Sequence, residues 1–414
     1  MKNLSKSLRS IFFSVDGRPA KISSDNSRTL LASLISIIGG FLIGAIIIVI
    51  VGLTSGSTPK NIGAAVELVL LGLFNTGNAS GVSIGFNPTN FGNMLFRATP
   101  IILTGLSVAV AFKTGLFNIG APGQYLMGAS ATLLIALGIP SSVLAPELIW
   151  LLAFVGGMLA GAVWGAIPGL LKAYLNINEV IACIMTNWIA AAVATWIFDG
   201  SDFRNMELGG GSKLYKTSSN NVFTSRMGMD NLFPGSQADG GIFVAVLLAV
   251  LVYIVLYRTV FGFELKACGA NRHAAQYAGI KSRRNIVLSM AIAGALAAAA
   301  ASLYYLNYNT EFDWQTYQSL PAEGFNGIPV ALLAANNPIA VIFSGCFMSM
   351  LNINGLQIKN FTVGYNEYIT DIIIAVIVYF SAFSLFMRNL LADRSRKKAE
   401  KRAAAHIQEG GKAK

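Results

Sequence analysis

Charge is what this chain has least of: only 12% of its 414 residues are Asp, Glu, Lys or Arg, against 54% that are hydrophobic. With a mean hydropathy of +0.60, that balance excludes an ordinary soluble domain, which carries about 25% charged residues. Histidine is scarcer still, and the three cysteines, Cys183, Cys268 and Cys346, stand apart from one another and from His273 and His406. Neither a CxxC pair nor zinc-ligand spacing exists, which excludes a disulfide framework and a clustered metal site. No G-x-x-x-x-G-K-[ST] loop is present, so the backbone cradle and lysine that hold nucleotide phosphates are missing. Nor is there a Gly-x-Ser-x-Gly elbow or a His-Glu-x-x-His pair. A membrane enzyme would lack its acid, base and nucleophile.

What remains is an all-α, polytopic membrane protein. The net charge of +11 is carried by Lys and Arg in tails and short loops beside apolar runs. That is the distribution of the positive-inside rule rather than of a nucleic-acid surface, so no nucleic-acid partner is expected. Leu30 to Leu53 is almost continuously apolar and long enough to cross a bilayer core. Its flanking tail, with Lys2, Lys6, Arg9, Arg18, Lys21 and Arg28, is expected in the cytosol. Further crossings are read at Phe91–Phe112, Phe117–Leu137, Leu148–Leu171, Val180–Phe198, Ile242–Tyr257, Ile286–Leu306 and Ile369–Phe386. Two shorter runs, Phe325–Ala335 and Ile339–Leu351, separated by "NNP", read as an in-and-out pair. The patch Ile62 to Phe74, carrying Glu67, reads as interfacial or re-entrant.

The total is about ten transmembrane helices in the cell membrane with both termini cytosolic. The expected organisation is a cytosolic N-tail over 1–29, a transmembrane domain over 30–390 and a basic cytosolic C-tail over 391–414. Within the membrane domain, 199–239 is expected as an extracellular loop and 259–284 as a cytosolic one. This arrangement places most of the 30 Lys and Arg inside.

Gly157, Gly161, Gly165 and Gly169 recur every four residues and share one helical face, where a neighbouring backbone can approach closely. The Ala-rich "AIAGALAAAAAS" of Ala291–Ser302 reads as another tightly packed helix. The stretch "FNIGAPGQYLMGA" from Phe117 is different. Its glycines and Pro122 release backbone groups that lipid cannot satisfy. A second interruption, "EGFNGIPVALLAANNP" from Glu323, again places a Phe-Asn pair beside Gly and Pro. Paired broken helices in the two halves, a weak internal repeat, point to a mid-membrane pathway; ordinary kinks are the other reading.

Ionisable residues in the crossings are few, with Arg97, Glu179, Glu323 and Asp371 the exceptions. They form no series like a proton relay or voltage sensor, and Glu179 and Asp371 read as end-anchoring charges. Uncharged amides are more plentiful: Asn118, Gln124, Asn187 and Asn326, with Phe117, Trp188 and Phe325 beside them. Amides supply donors and acceptors and aromatic faces suit a sugar ring or planar base. These seven are the candidate substrate-pathway residues for a neutral, polar small molecule. The alternative for each Asn is a role in helix association.

On the cytosolic side, "FELKACGANRHAAQYAGIKSRRN" from Phe263 has small residues at helical spacing before a basic end. It reads either as a solvated positive loop or as a short helix with a smooth face for another protein.

Four stretches, "GLFNIGAPGQYLMGA", "NEVIACIMTNWIAA" (Asn178–Ala191), "GANRHAAQYAGI" (Gly269–Ile280) and "GFNGIPVALLAANNP" (Gly324–Pro338), stand in order over most of 90–390. Together they resemble the permease subunits of ATP-binding-cassette importers for simple sugars, branched-chain amino acids and nucleosides. The likeness is greatest to the nucleoside, guanosine-type branch of Gram-positive bacteria. That resemblance implies a second, paralogous permease subunit, a cytosolic ATPase holding ATP and Mg, and an extracellular substrate-binding lipoprotein. No cofactor is then expected on this chain. Gly269, Asn271, His273, Ala275 and Gly279 match the family's coupling region and would meet the ATPase. Where the family often has glutamate, this chain has Pro122 in "GAPGQ". Ribose- or galactose-like sugars stay open as substrates, and a self-powered secondary transporter is the rival class.

Overall fold

Helix starts in this chain are set by residues that bond the first free N–H groups of a turn. Asn87 accepts from Asn90 N (3.1 Å) ahead of Pro88, and Asn337 accepts from Ile339 N (3.0 Å) ahead of Pro338. Asn178 accepts from Val180 N at 2.8 Å. Each satisfies a donor that the helix leaves open, and Pro88 and Pro338 stand at a first helical position where a missing N–H costs nothing. The computed structural model describes residues 24–77, 81–205, 213–214, 222–366 and 368–382. The expected tails over 1–23 and 383–414 therefore lie outside the described residues.

Among those residues the chain is mainly helical. The helices are α1 (Ser24–Thr54), α2 (Pro59–Leu71), α3 (Pro88–Lys113), α4 (Ala121–Gly138), α5 (Pro146–Leu175), α6 (Glu179–Phe198) and α7 (Met229–Leu232). They continue with α8 (Gly241–Arg258), α9 (Val260–Ala270), α10 (Arg272–Tyr277), α11 (Ser282–Tyr305), α12 (Ala322–Leu333), α13 (Pro338–Phe361) and α14 (Tyr368–Ala382). A two-residue hairpin, β1 (Arg204–Asn205) against β2 (Lys213–Leu214), is antiparallel. Seven helices among the described residues, α1, α3, α5, α6, α8, α11 and α13, are long and apolar enough to cross a membrane. The remaining expected crossings fall on the 18-residue α4, which is less apolar, and on the shorter α12 and α14.

The chain divides into two compact units, Met1–Ile47 with Ile372–Lys414, and Ile48–Asp371. In the first, α1 and α14 meet at glycine: a Cβ on Gly44 would stand 2.6 Å from Ile373 Cγ1. In the second, α11 packs against α5, α4 and α3, while α12 and α13 pack against α3.

The four-residue glycine repeat forms the α5–α11 seam. A Cβ on Gly165 would lie 3.0 Å from Gly294 Cα, and one on Gly169 3.1 Å from Val287 Cα. From the other side, a Cβ on Gly128 of α4 would lie 2.6 Å from Ala298 Cα. Lipid gives apolar helices no hydrophobic reason to associate, so the seam is held by close van der Waals contact and by polar links. One such link is the Thr132–Ser302 hydroxyl pair, 2.7 Å apart and buried.

Two segments differ from the reading of the sequence. The second short run does not end at Leu351: α13 continues to Phe361. Hydropathy falls there because Asn354 and Gln357 are polar, but both are used inside the bundle. Asn354 donates to Val69 O (2.8 Å) and Gln357 exchanges bonds with Asn75 and Asn90. The 12-residue α12, by contrast, is about 18 Å long and falls short of a core of about 30 Å. The in-and-out pair is thus a half-length helix followed by a full-length one. The 62–74 patch, expected as interfacial or re-entrant, forms the 13-residue α2 followed by a 3-10 turn at Gly72–Phe74, about 20 Å of α-helix and shorter than a core of about 30 Å.

The 199–239 segment is tied to the loop after α11. Arg204 sits 3.7 Å over the Trp314 ring, whose Nε1 donates to Thr195 O. Asn307 donates to the buried Asp239 carboxylate at 2.6 Å, and Arg226 donates to Ser236 O and Tyr308 Oη. Burial pushes the Asp239 carboxyl up to about 6, with the bonds from Asn307 and Gly241 and the charge of Arg226 acting against it.

Candidate functional site

The break after α3 is built by side-chain amides. Beyond Lys113 the chain turns back along α3, and by Asn118 it has climbed to Ser107, whose Oγ accepts from Asn118 Nδ2 at 3.1 Å. That level is roughly 9 Å back from the Lys113 end at about 1.5 Å per residue. The α4 helix therefore starts inside the bundle rather than at its end. Its first N–H groups have no partner in their own helix, and Asn187 of α6 answers one of them.

Gly123 N donates to Asn187 Oδ1 (2.9 Å) while Asn187 Nδ2 donates to Ile119 O (3.0 Å). Asn118 and Gln124 bond reciprocally, Nδ2 to Oε1 at 2.9 Å and Nε2 to Oδ1 at 3.1 Å. Asn118 Oδ1 also accepts from Gly120 N at 3.2 Å. All three amides are buried. They supply to the released backbone the partners that lipid cannot.

The second break meets the first. A Cβ on Gly324, in the first turn of α12, would lie 2.7 Å from Pro122 N, and one on Gly327 2.8 Å from Gly105 N of α3. Only glycine allows α12 to start directly against the first turn of α4 and cross α3 beside it. The two interrupted stretches, far apart in sequence, thus share one place in the bundle.

The structure gathers Asn118, Gln124 and Asn187 around this place, with Phe117 half-buried against Phe112 (ring centroids 5.3 Å). Phe325 and Asn326 lie partly exposed on α12, next to Gly324. Trp188 stands apart from them: it is 60% exposed, on the apolar outer face of α6 with Ile184, Met185 and Ile189.

A second arrangement lies at the Lys113 end of α3. Here α9 and α10 form a helical corner whose Asn271 caps α10 by accepting from Ala274 N at 3.0 Å. Gly269 packs on the α3–α4 turn, where a Cβ would stand 2.9 Å from Gly115 N. Ala275 is buried, whereas Asn271, His273 and Gly279 are exposed and Tyr277 is 95% exposed. Gly279 takes φ +82°, a left-handed conformation that favours glycine. The five coupling candidates therefore sit on one short corner in contact with the turn that leads into the break. Around it lie Lys113, Arg258, Lys266, Arg272, Lys281, Arg283 and Arg284, next to or on the same elements.

One grouping was not legible beforehand. Tyr125, Tyr304 and Tyr305 come together, with Tyr304–Tyr305 centroids at 5.2 Å and Tyr125–Tyr305 at 6.2 Å. Arg97 and Glu323 are within electrostatic reach of Tyr304. The signal available in the sequence was the rarity of such charges inside apolar segments; nothing in it paired them.

Residues 90–382 match the family described as branched-chain amino acid transport system / permease component. The nucleoside ABC transporter permease protein NupB of Lactococcus lactis is 34% identical over 387 residues, spanning 91% of this chain and 100% of that protein. The guanosine ABC transporter permease protein NupP of Bacillus subtilis is 36% identical over 74% of this chain and 85% of its own. The glucose ABC transporter permease protein TsgB13 of Haloferax volcanii is 30% identical over 71% of this chain and 76% of its own. No solved structure matches the chain. With apolar helices that fit a multi-pass membrane protein and a match running through most of its length, the chain belongs to the branched-chain amino acid transport system / permease component family, as a transport subunit that is not itself catalytic.

Proposed function

We propose that this chain is one transmembrane subunit of an ATP-driven importer for nucleosides. The observation that carries the transport reading is the meeting of the two helix breaks, Pro122 against Gly324, inside the bundle. The substrate class follows the similarity to NupB, which runs through that protein's whole length. Similarity to a glucose permease gives the sugar alternative its footing, at lower identity and coverage.

In this reading the corner α9–α10 faces the cytosol, consistent with the basic residues gathered around it. A separate ATPase subunit, carrying ATP and Mg, docks on Asn271, His273 and Gly279, and a second, paralogous permease completes the membrane part. An extracellular binding lipoprotein delivers the solute. Closure of the motor moves α10, and Gly269 passes that movement to the turn at Gly115, because neither backbone has room to slide past the other. The turn leads directly into the segment that Asn118 and Gln124 hold. Phe117, Asn118, Gln124, Asn187, Phe325 and Asn326 form or support the pathway walls, with Trp188 on the outer face of the α6 wall.

The test is uptake of labelled guanosine and ribose by cells carrying the native gene or Gly279→Arg at matched membrane levels. The proposal expects guanosine uptake by the native chain and its loss in the variant. Uptake unchanged by Gly279→Arg removes the coupling assignment; ribose uptake alone moves the substrate to sugars.

A further inference from the structure

The last three turns of α8 leave a notch that neither the helix breaks nor the coupling corner uses. It is a cavity of about 300 Å³ between α3, α5, α8, α9 and α11, with Val110, Met158, Leu251, Leu256, Leu265 and Leu296 among its walls. Every residue lining it is aliphatic or methionine. Water needs two or more polar partners to stay in such a space, and these side chains offer none. Leu251 is exposed at the rim and shares the outer face of α8 with Leu247 and Ile254. The notch therefore opens sideways onto the apolar surface of the helix, where the solvent is hydrocarbon.

What stands at its end sets this notch apart from an ordinary gap between helices. The α9 helix folds back over the end of α8, so that a Cβ on Gly262 would stand 2.5 Å from Leu256 Cα. Two cations lie directly beyond the apolar walls: Arg258, two residues after Leu256, and Lys266, next to Leu265. Lys266 reaches back to α8, with Nζ 4.7 Å from the centre of the Tyr257 ring, and Arg258 is exposed. Neither forms an ion pair among the described residues. Glu264, the one carboxylate between Asp239 and Glu311, is turned to α11, where it accepts from Asn285 Nδ2 at 2.9 Å.

From Leu248 to Leu256 the notch follows α8 for about 12 Å at about 1.5 Å per residue. That is most of one leaflet of a core about 30 Å thick. Along α8 the surface is thus apolar for the depth of a leaflet and then doubly positive, the order in which a phospholipid presents its chain and its phosphate. A neutral lipid would fill the notch but leave the two cations unanswered.

We propose that this notch holds one acyl chain of an anionic phospholipid whose phosphate is bound by Arg258 and Lys266. Basic side chains beside a recess between membrane helices are what anionic headgroups bind. The site does not depend on the transported solute; only its leaflet, the cytosolic one, follows the reading of the α9–α10 corner above. The lipid joins α8 to α9, the element that leads into that corner.

Photolabelling tests it, with the chain alone and the chain assembled with its partner permease and ATPase, each in phosphatidylcholine nanodiscs. The probes are trace phosphatidylglycerol and trace phosphatidylcholine carrying the same acyl-chain diazirine, and label is mapped to the peptides holding 248–256 and 292–296. Each basic side chain near an anionic headgroup is worth about fivefold, so phosphatidylglycerol is expected to label the notch about tenfold or more above phosphatidylcholine. Arg258→Gln with Lys266→Gln, at an unfolding midpoint near the native one, is expected to bring the two probes level. Arg272→Gln with Arg283→Gln removes the same charge from α10 and from the side of α11 that meets Tyr174, and is expected to keep the preference. Equal labelling by both probes in the native chain overturns the site, as does an equal loss of preference in the two double variants, which is the general attraction of a basic surface. Label in the chain alone but not in the assembled complex shows that the partner permease covers this face, and overturns it as well.

Discussion

Replacing Asn187 by leucine keeps the branched shape of the side chain and removes both polar atoms. Two bonds disappear, from Gly123 N and to Ile119 O, each worth about 0.6–1 kcal/mol net. The larger effect is what is left behind. Gly123 N lies in the first turn of α4, where no helical carbonyl can replace the lost acceptor. The position is closed to repacking: a Cβ built on Gly123 would stand 2.8 Å from Asn187 Cα. With about 1–3 kcal/mol for a buried polar group left unmade, the expected destabilisation is about 2–4 kcal/mol. The assay is reversible unfolding of the purified chain in mixed micelles, with Trp188→Ala as the comparison on the exposed face of the same helix. Trp188→Ala should change stability little. An Asn187→Leu variant within about 0.5 kcal/mol of the native chain, the scatter of a neutral surface change, would refute the argument that this amide holds the helix break.

Gly161→Val places a side chain where Ala298 Cβ and Gly294 O already stand, and an overpacking cost of at least 1–3 kcal/mol should appear as reduced membrane accumulation and a lower unfolding midpoint. The Thr132–Ser302 hydroxyl pair should show a coupling of about 0.6–1 kcal/mol in a double-mutant cycle of alanine variants, the usual range inside membranes. Asp239, with its carboxyl raised from 3.8 to about 6, favours the folded state when protonated. Its contribution is complete below about pH 4 and is lost as pH rises through about 6, an effect of about 3 kcal/mol at about 1.4 kcal/mol per unit. Asp239→Asn should flatten that part of the stability–pH profile, and an unchanged profile would show that Asp239 does not titrate in this range.

How much of this could be read in advance depended on whether the signal was local. The glycine repeat of α5 was legible because four residues at helical spacing define a face without reference to the partner. The structure added the residues opposite, among them Val287, Gly294 and Ala298. The two breaks were legible for the same reason, since glycine and proline act on their own backbone. That they touch, at Pro122 and Gly324, is a tertiary fact with no local trace.

The end of α13 was misread because hydropathy treats Asn354 and Gln357 as solvent-facing, whereas Val69 O, Asn75 and Asn90 receive them inside the bundle. The amides Asn118, Gln124 and Asn187 were recognised as unusual, but their partners decide what they do in the structure described: they bond one another and the backbone. The tyrosine cluster was hidden most thoroughly, because aromatic residues near helix ends are common at membrane interfaces, and only packing brings Tyr125 to Tyr305.

The central claim is that this chain is a passive pathway worked by a separate ATPase. Guanosine accumulation in proteoliposomes holding the assembled complex tests it most directly, with ATP or a non-hydrolysable analogue supplied to the ATPase side and no ion gradient. Accumulation with ATP alone, abolished when the ATPase subunit is left out, is the predicted result. Accumulation by this chain without the ATPase, driven by a sodium or proton gradient, would contradict it.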